Sequence, residues 1–341
     1  AKVGSVVVAK KSRALFTFYQ LPAQIPRVIA GNAAYPRINN MRVHLTNSNP
    51  RPHCWQLSRR VIVTVFILLA FFPMVSSPLP GRQALAVEGA EGPPVVFYAM
   101  GDIPYVPEED KLLPRQIAEI PDDAQFLVHL GDIKDGATPC DETIYQKVAS
   151  MLAKSKVPTF IIPGDNEWND CQKPDQGWKY WQKHFRRFDQ RWKHDFQLSR
   201  SKKHDENFVF VHRQVLFVGL NLVGGRVHDP QEWKSRHRDN LDWTTDAIKQ
   251  HGKQVHAMVI LAHANPQPSH DDFFKPLVTA AQQFAKPILY LHGDGHRWIK
   301  DQPWEAKNIL RVQVDQGGKA PPLKITIHKN PEETFQFDRR K

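Results

Sequence analysis

Aspartate and glutamate are missing from the first 86 residues, a stretch that carries eleven Lys and Arg. Removing those eleven from the 46 basic residues leaves 35, against 35 acidic residues, over 87–341. The formal charge of +11 therefore belongs to the leader. A neutral remainder offers no basic footprint, so nucleic acid drops out as a leading partner. Long apolar runs are also lacking. The run 61–72, in which only Thr64 is polar, would rise about 18 Å as a helix, short of the ~30 Å hydrocarbon core. Cysteine is scarce, with Cys54 in the leader and only Cys140 and Cys171 after it. No internal repeat or low-complexity tract is visible.

What stands in the leader has a consistent logic. Arg59 and Arg60 precede the apolar run, small residues follow, and the segment ends in Ala84-Leu85-Ala86. A positive n-region, a short h-region and an Ala-x-Ala site describe a signal peptide. The competing reading is a membrane anchor retained through Val75, which the length shortfall disfavours. The chain starts at Ala1, and Met41 would give an n-region of ordinary length. Met41 is the expected initiator, with 1–40 either an over-extended start or an extra targeting leader. The expected product is secreted or extracytoplasmic after cleavage near Ala86, monomeric and without a stable membrane anchor. Two cysteines in an exported domain make a plausible disulfide. Two free buried thiols are the plainer alternative.

Beyond the linker 87–94, short apolar runs alternate with longer amphipathic ones. The runs 95–100, 125–130, 159–162, 215–220, 257–262 and 288–291 predict buried strands, and 142–154, 177–188, 240–251 and 272–284 predict helices. Late strands are expected at 309–314 and 323–327. The alternation predicts a layered α/β domain over 87–341. Gly101-Asp102, Gly131-Asp132, Gly164-Asp165, His263 and Gly293-Asp294 each follow a predicted strand directly or nearly so. Open α/β sheets bind ligands beyond the carboxyl ends of their strands, which makes these five ends one convergent site. A single Gly-Asp is weak evidence, because Asp commonly starts turns. Four acidic ends together with His263 and His296 are different, since crowded buried carboxylates repel unless a cation neutralises them. Structural zinc fits poorly, because its sites are usually thiolate-rich and closed.

The order of motifs resembles the calcineurin-like metallophosphoesterases, which carry Asp-x-His, Gly-Asp-x-x, Gly-Asn-His-Asp/Glu, a lone His and Gly-His-x-His. Here the series runs Gly101-Asp102-Ile103-Pro104-Tyr105, Gly131-Asp132-Ile133-Lys134-Asp135, Gly164-Asp165-Asn166-Glu167, His263 and Gly293-Asp294-Gly295-His296. The resemblance implies a four-layer α-β-β-α sandwich with two mixed sheets. It also implies a hydrolase of phosphoesters, in which two metal ions activate water and clamp the phosphoryl group. Carried over by position, Asp132 bridges both ions, Asp102 and His296 hold the first, and Asp165, His263 and Asp294 hold the second.

The departures leave alternatives open. Pro104 stands where the family has a His ligand, and either Asp135 or Tyr105 is the candidate to fill the gap, with Asp135 equally readable as a turn residue beside Gly136. Asn166 falls at the catalytic His; it can donate a hydrogen bond to phosphate but no proton, so His270 or Glu167 would protonate the leaving group. An oxygen-rich ligand set suits Mn or Fe, with Zn and Mg as alternatives. His129 reads as a core residue off the site, and His292 as second to His296. Trp168 is expected to line the pocket, and Lys183, His184, Arg186 and Arg187 to form a solvated helix face. The loops 172–206 and 223–239 carry no motif that names the substrate. A second function class stays open beside the enzyme: a secreted phosphate-binding or interaction protein that has kept the fold without the catalysis. N-terminal sequencing of secreted material should begin at Val87 or within a few residues; a mature protein that keeps 61–75 in a membrane fraction would overturn the secretion expectation.

Overall fold

The computed structural model describes residues 92–341. The leader, its cleavage site and Cys54 lie outside the described residues. Among the described residues no helix is long and apolar enough to cross a membrane. In chain order the elements are β1 (Val95–Met100), α1 (Glu109–Ala118), β2 (Leu127–His129), α2 (Glu142–Leu152), β3 (Thr159–Ile161) and α3 (Pro174–Phe185). Then come β4 (Ser199–Arg200), β5 (Phe208–His212), β6 (Val215–Gly219), α4 (Pro230–His251), β7 (Ala257–Leu261) and α5 (Asp271–Phe284). The last are β8 (Ile288–His292), β9 (Ile299–Asp301), β10 (Ile309–Gln313), β11 (Leu323–Ile327) and β12 (Phe335–Asp338). Each predicted strand and helix is present. Helix α4 starts ten residues before the expected position because Asp229 accepts from the backbone N–H groups of Gln231 and Glu232, with Pro230 at the first position. Helix α1, interrupted by Pro114, and strands β4, β5, β9 and β12 were not expected from the sequence.

The strands form two mixed sheets, one ordered β12-β11-β1-β2-β3 and the other β4-β5-β6-β7-β8-β10-β9. Within them β1, β2 and β3 run parallel, as do β6, β7, β8 and β10. Alternation along each strand builds the layers. In β1, Phe97 and Ala99 pack into a core shared with Phe217, Val259 and Leu291 of the other sheet, while Tyr98 and Met100 face helices α1 to α3. In β7, Val259 and Leu261 face the shared core and Met258 and Ile260 face α4 and α5. The result is helix, sheet, sheet, helix. Phenylalanines fill the middle: Phe126 stacks on Phe97 at 4.7 Å and meets Phe217 edge-on at 5.3 Å, geometries that suit the ring quadrupole.

Cys140 and Cys171 form a disulfide, with Cα atoms 5.8 Å apart and a sequence separation of 31. It joins the loop after Asp132 to the loop after Asp165. Replacing both cysteines by serine should lower the unfolding free energy by about 3–4 kcal/mol on the chain-entropy account of closing such a loop, read by urea denaturation. A loss below about 1 kcal/mol would show that the bridge adds little constraint.

Candidate metal centre

The site residues follow the carboxyl ends of β1, β2, β3, β7 and β8, and the loops are bonded to one another through their backbones. The Asp102 N–H donates to Gly131 O at 3.0 Å, and the Ile103 N–H to Asp132 O at 3.0 Å. Such close approach explains the repeated glycine. A Cβ on Gly131 would lie 2.6 Å from Gly164 N, and one on Gly293 2.9 Å from Asp102 Oδ2. Four residues of these ends take left-handed backbone, namely Asp102, Asp132, Asp294 and His296, with φ of 58°, 59°, 72° and 58°. Aspartate tolerates this region better than most residues, and such strain gathers where a site needs side chains aimed inward.

Two groups of donor atoms result. Asp102, Asp132 and His296 form one, and Asp132, Asp165 and His263 the other, with the donor atoms of each lying within 4.8 Å of one another. Asp132 belongs to both. His263 shows that these residues fit a cation. Its Nδ1 lies 2.7 Å from Leu130 O, a carbonyl that can only accept, so Nδ1 carries the proton and the neutral ring turns the lone pair of Nε2 inward. That lone pair would face Asp165 Oδ1 at 2.9 Å and Asp132 Oδ1 at 3.3 Å. Asp165 Oδ1, His263 Nε2 and Asp102 Oδ2 are all buried without a hydrogen-bond partner. Acceptors turned on one another in a dry site require a positive charge.

The titration behaviour has the same cause. Burial pushes the Asp132 carboxyl well above the ordinary range, against the pull of His263. Burial works most strongly on Asp165, to raise it, but the combined pull of His263, the backbone and His296 holds this carboxyl low. His263 itself is driven up by Asp132 and Asp165 in spite of its burial. The half-exposed His296 is raised by its hydrogen bond to Asp102, although burial opposes.

Asn166 is brought into the same place. Its backbone N–H donates to Asp132 Oδ1 at 3.0 Å, and its side-chain amide donates to Asp132 Oδ2. Tyr105 Oη lies 2.8 Å from Asp132 Oδ2, 3.1 Å from His296 Nε2 and 3.3 Å from Asp102 Oδ1.

Four of the expected site residues belong to neither donor group. Asp135 turns its carboxylate onto its own loop, accepting from the Ala137 N–H at 2.8 Å, the Thr138 N–H at 3.2 Å and the Thr138 hydroxyl. Its turn chemistry wins over ligation. Asp294 accepts from the Asn265 N–H at 2.9 Å, and its backbone N–H, not its carboxylate, serves Asp102 at 3.1 Å. His270 is buried, with Nε2 2.9 Å from Val223 O and its pKa depressed to about 4 by burial, so it offers no proton to a substrate. Glu167 is fully buried and accepts from the N–H groups of Gly164, Asp132 and Ile133 at 2.7, 3.2 and 3.3 Å. It positions the second and third motif loops and is not a proton donor.

Of the remaining expectations, Trp168 lies not on a pocket wall but in a buried cluster with Val223 and Trp233, the Arg236 guanidinium 4.7 Å from its ring. His129 is in the core, bonded to Ile103 O at 3.1 Å. His292 is buried against Gly293 O at 2.8 Å. Lys183 and His184 pair with Glu142, and Arg186 and Arg187 with Asp205, as a solvated face does.

Residues 96–298 match the calcineurin-like phosphoesterase family, and the chain belongs to that family. No curated protein matches the chain in sequence. Solved structures with a similar fold include "GAP50 the anchor in the inner membrane complex of Plasmodium", at 9% identity and a TM-score of 0.45, covering 72% of this chain and 88% of that one. A purple acid phosphatase from yellow lupin, Lupinus luteus, gives 12% identity and a TM-score of 0.45 over 72% of this chain and 53% of its own. A 5'-nucleotidase from Candida albicans gives 14% and 0.40 over 71% and 50%. The chain thus spans about half the length of the last two.

Glu167→Ala strands three buried N–H groups, and should destabilise the protein by about 3–5 kcal/mol. Glu167→Gln keeps an acceptor and should lose less. Chemical denaturation measures both, and an alanine variant within about 1 kcal/mol of wild type would reject the positioning role.

Proposed function

We propose that the protein is an exported, metal-dependent phosphoesterase that holds two metal ions across Asp132. One observation carries the reading: a single buried carboxylate belongs to both donor groups, Asp102–Asp132–His296 and Asp132–Asp165–His263. A bridged pair of ions supplies charge to clamp a phosphoryl group and acidity to activate water. The chain's own contribution is to hold the donors. Leu130 O fixes the tautomer of His263, Asp294 N–H steadies Asp102, and Asn166 steadies Asp132. Oxygen donors outnumber imidazoles, which favours hard ions such as Mn or Fe. Export is supported by the composition of the leader and by a disulfide, a bond that persists in oxidising compartments. The substrate is a phosphoester taken by a monomer.

A second reading has one observation in its favour. The position of the family's catalytic His is filled by Asn166, whose donors are already engaged with Asp132 and which has no proton to transfer. A phosphate-binding protein on the same fold would look like this.

Metal analysis of the purified protein, followed by a panel of phosphomono- and diesters, separates the two. Wild type should carry about two ions and hydrolyse a phosphoester. Asp132→Asn should fall toward zero ions and Asp102→Asn toward about one, with activity lost by orders of magnitude in both. Asp294→Asn should keep both ions. Two ions without hydrolysis of any ester would favour the binding protein, and normal hydrolysis by Asp132→Asn would end the two-metal reading.

A further inference from the structure

The first donor group is short of a ligand, and the reason is visible in the chain. Pro104 occupies the position at which the family pattern has an imidazole, and proline has no donor atom to offer. The next residue stands in the gap. Tyr105 is half-buried and its ring meets that of His296 edge-on at 5.4 Å. Its Oη is surrounded by Asp132 Oδ2 at 2.8 Å, His296 Nε2 at 3.1 Å, Asp102 Oδ1 at 3.3 Å and Asn166 Nδ2 at 3.4 Å.

Counting hydrogens exposes the difficulty of reading this as hydrogen bonding alone. A phenol has one O–H, and Asp132 Oδ2, the nearest acceptor, takes it. Asp102 Oδ1, whose one other donor is the Asp294 N–H, then faces a phenol lone pair, and this carboxylate's other oxygen has no partner at all. One proton cannot serve two carboxylates. A cation among them serves both carboxylates, the phenol and the His296 ring nitrogen at once, while Asn166 Nδ2, with only N–H to give, goes on donating to Asp132 Oδ2. The spacing fits as well, because donor oxygens on adjacent corners of an octahedron around a small ion at about 2.1 Å stand about 3 Å apart.

We propose that Tyr105 is the fourth protein donor to the first ion, standing in for the histidine that Pro104 displaces. The inference rests on the two-metal reading of the site and adds to it a ligand and a preference. A phenol becomes a good donor by giving up its proton to solvent as the ion binds, which requires a hard, strongly Lewis-acidic ion. Asp102, Asp132 and Tyr105 give that ion three oxygen donors against one nitrogen. Among the described residues no tyrosine hydroxyl bonds to Asp165 or His263 of the second group; the Tyr290 hydroxyl donates instead to Ala264 O at 2.7 Å. The two positions are therefore chemically unequal, and the first prefers the harder ion.

The test titrates the full-length protein, stripped of metal, with iron(III) citrate, reading ions bound and the ultraviolet difference band of an ionised phenol. Wild type should gain that band with an amplitude of about one tyrosine as the first position fills. Tyr105→Phe should lose the band and bind one of its ions at least about tenfold more weakly, the scale seen when a group that supports a metal is removed. Asp135→Asn, which alters the other candidate for the same gap, should keep the band and both affinities. Two ions bound with no phenol band in wild type would overturn the inference while leaving the two-metal reading intact. So would undiminished affinity in Tyr105→Phe. Failure of wild type to bind iron or manganese at all would defeat the two-metal reading and the inference together. The wild-type spectrum stands even if a variant folds poorly.

Discussion

Repulsion among buried acceptors governs this structure. Asp102, Asp132 and Asp165 are almost wholly removed from water and aimed at a common place. Left uncompensated, such crowding would cost more than a domain's net stability allows. Only a positive charge at the centre makes the arrangement tenable. The raised Asp132 and His263, the lowered Asp165 and the partnerless oxygens are four expressions of that one demand.

The scaffold answers it with backbone more than with side chains. Parallel strands of the two sheets deliver their carboxyl ends to one edge, and glycine lets those ends touch where any Cβ would collide. Glu167 then ties the ends of the second and third motifs by taking three N–H groups at once. The disulfide lies just behind, with Cys140 Sγ 3.5 Å and Cys171 Sγ 3.8 Å from Asn166 O. Asn166 holds the shared carboxylate, so bridge, loop and ligand form one braced unit. Donors fixed in this way need no reorganisation when charge develops on a substrate, which is where such a site gains its effect.

Much of this was legible in the sequence because it is local. Strand periodicity and the glycine before each aspartate follow from chain geometry at a single end, and they located the strands whose ends meet at the site; the division into two donor groups came from the family resemblance. What was not legible depends on where a side chain turns. Asp135 and Asp294 have the same chemistry as Asp132, yet one is satisfied by the N–H groups of Ala137 and Thr138 and the other by that of Asn265. A neighbouring amide competes with a metal for a carboxylate, and the outcome is set by loop torsions that composition does not encode. His270 failed for the same reason, captured by Val223 O in the core. Glu167 was noticed as a carboxylate near the chemistry, but its burial, which turns an acid into an anchor, is a property of the packed fold.

The departures from the family pattern share a direction. Pro104 and Asn166 each remove an imidazole, and Asp294 replaces a third with a carboxylate that belongs to neither donor group. In exchange Tyr105 and Asn166 surround Asp132 with an oxygen and two N–H donors. Imidazoles can both bind a metal and shuttle a proton near neutral pH, whereas amides and phenols orient well and transfer protons poorly at that pH. On the two-metal reading, this pattern exchanges proton transfer for charge placement. A site of this kind relies on its ions to stabilise the leaving oxygen, and its rate should depend on how readily the leaving group departs as an anion. On the two-metal reading, activity across a series of aryl phosphates should fall steeply as the pKa of the phenol released rises. A flat dependence would place a proton donor somewhere in the site that the geometry around Asp132 does not contain.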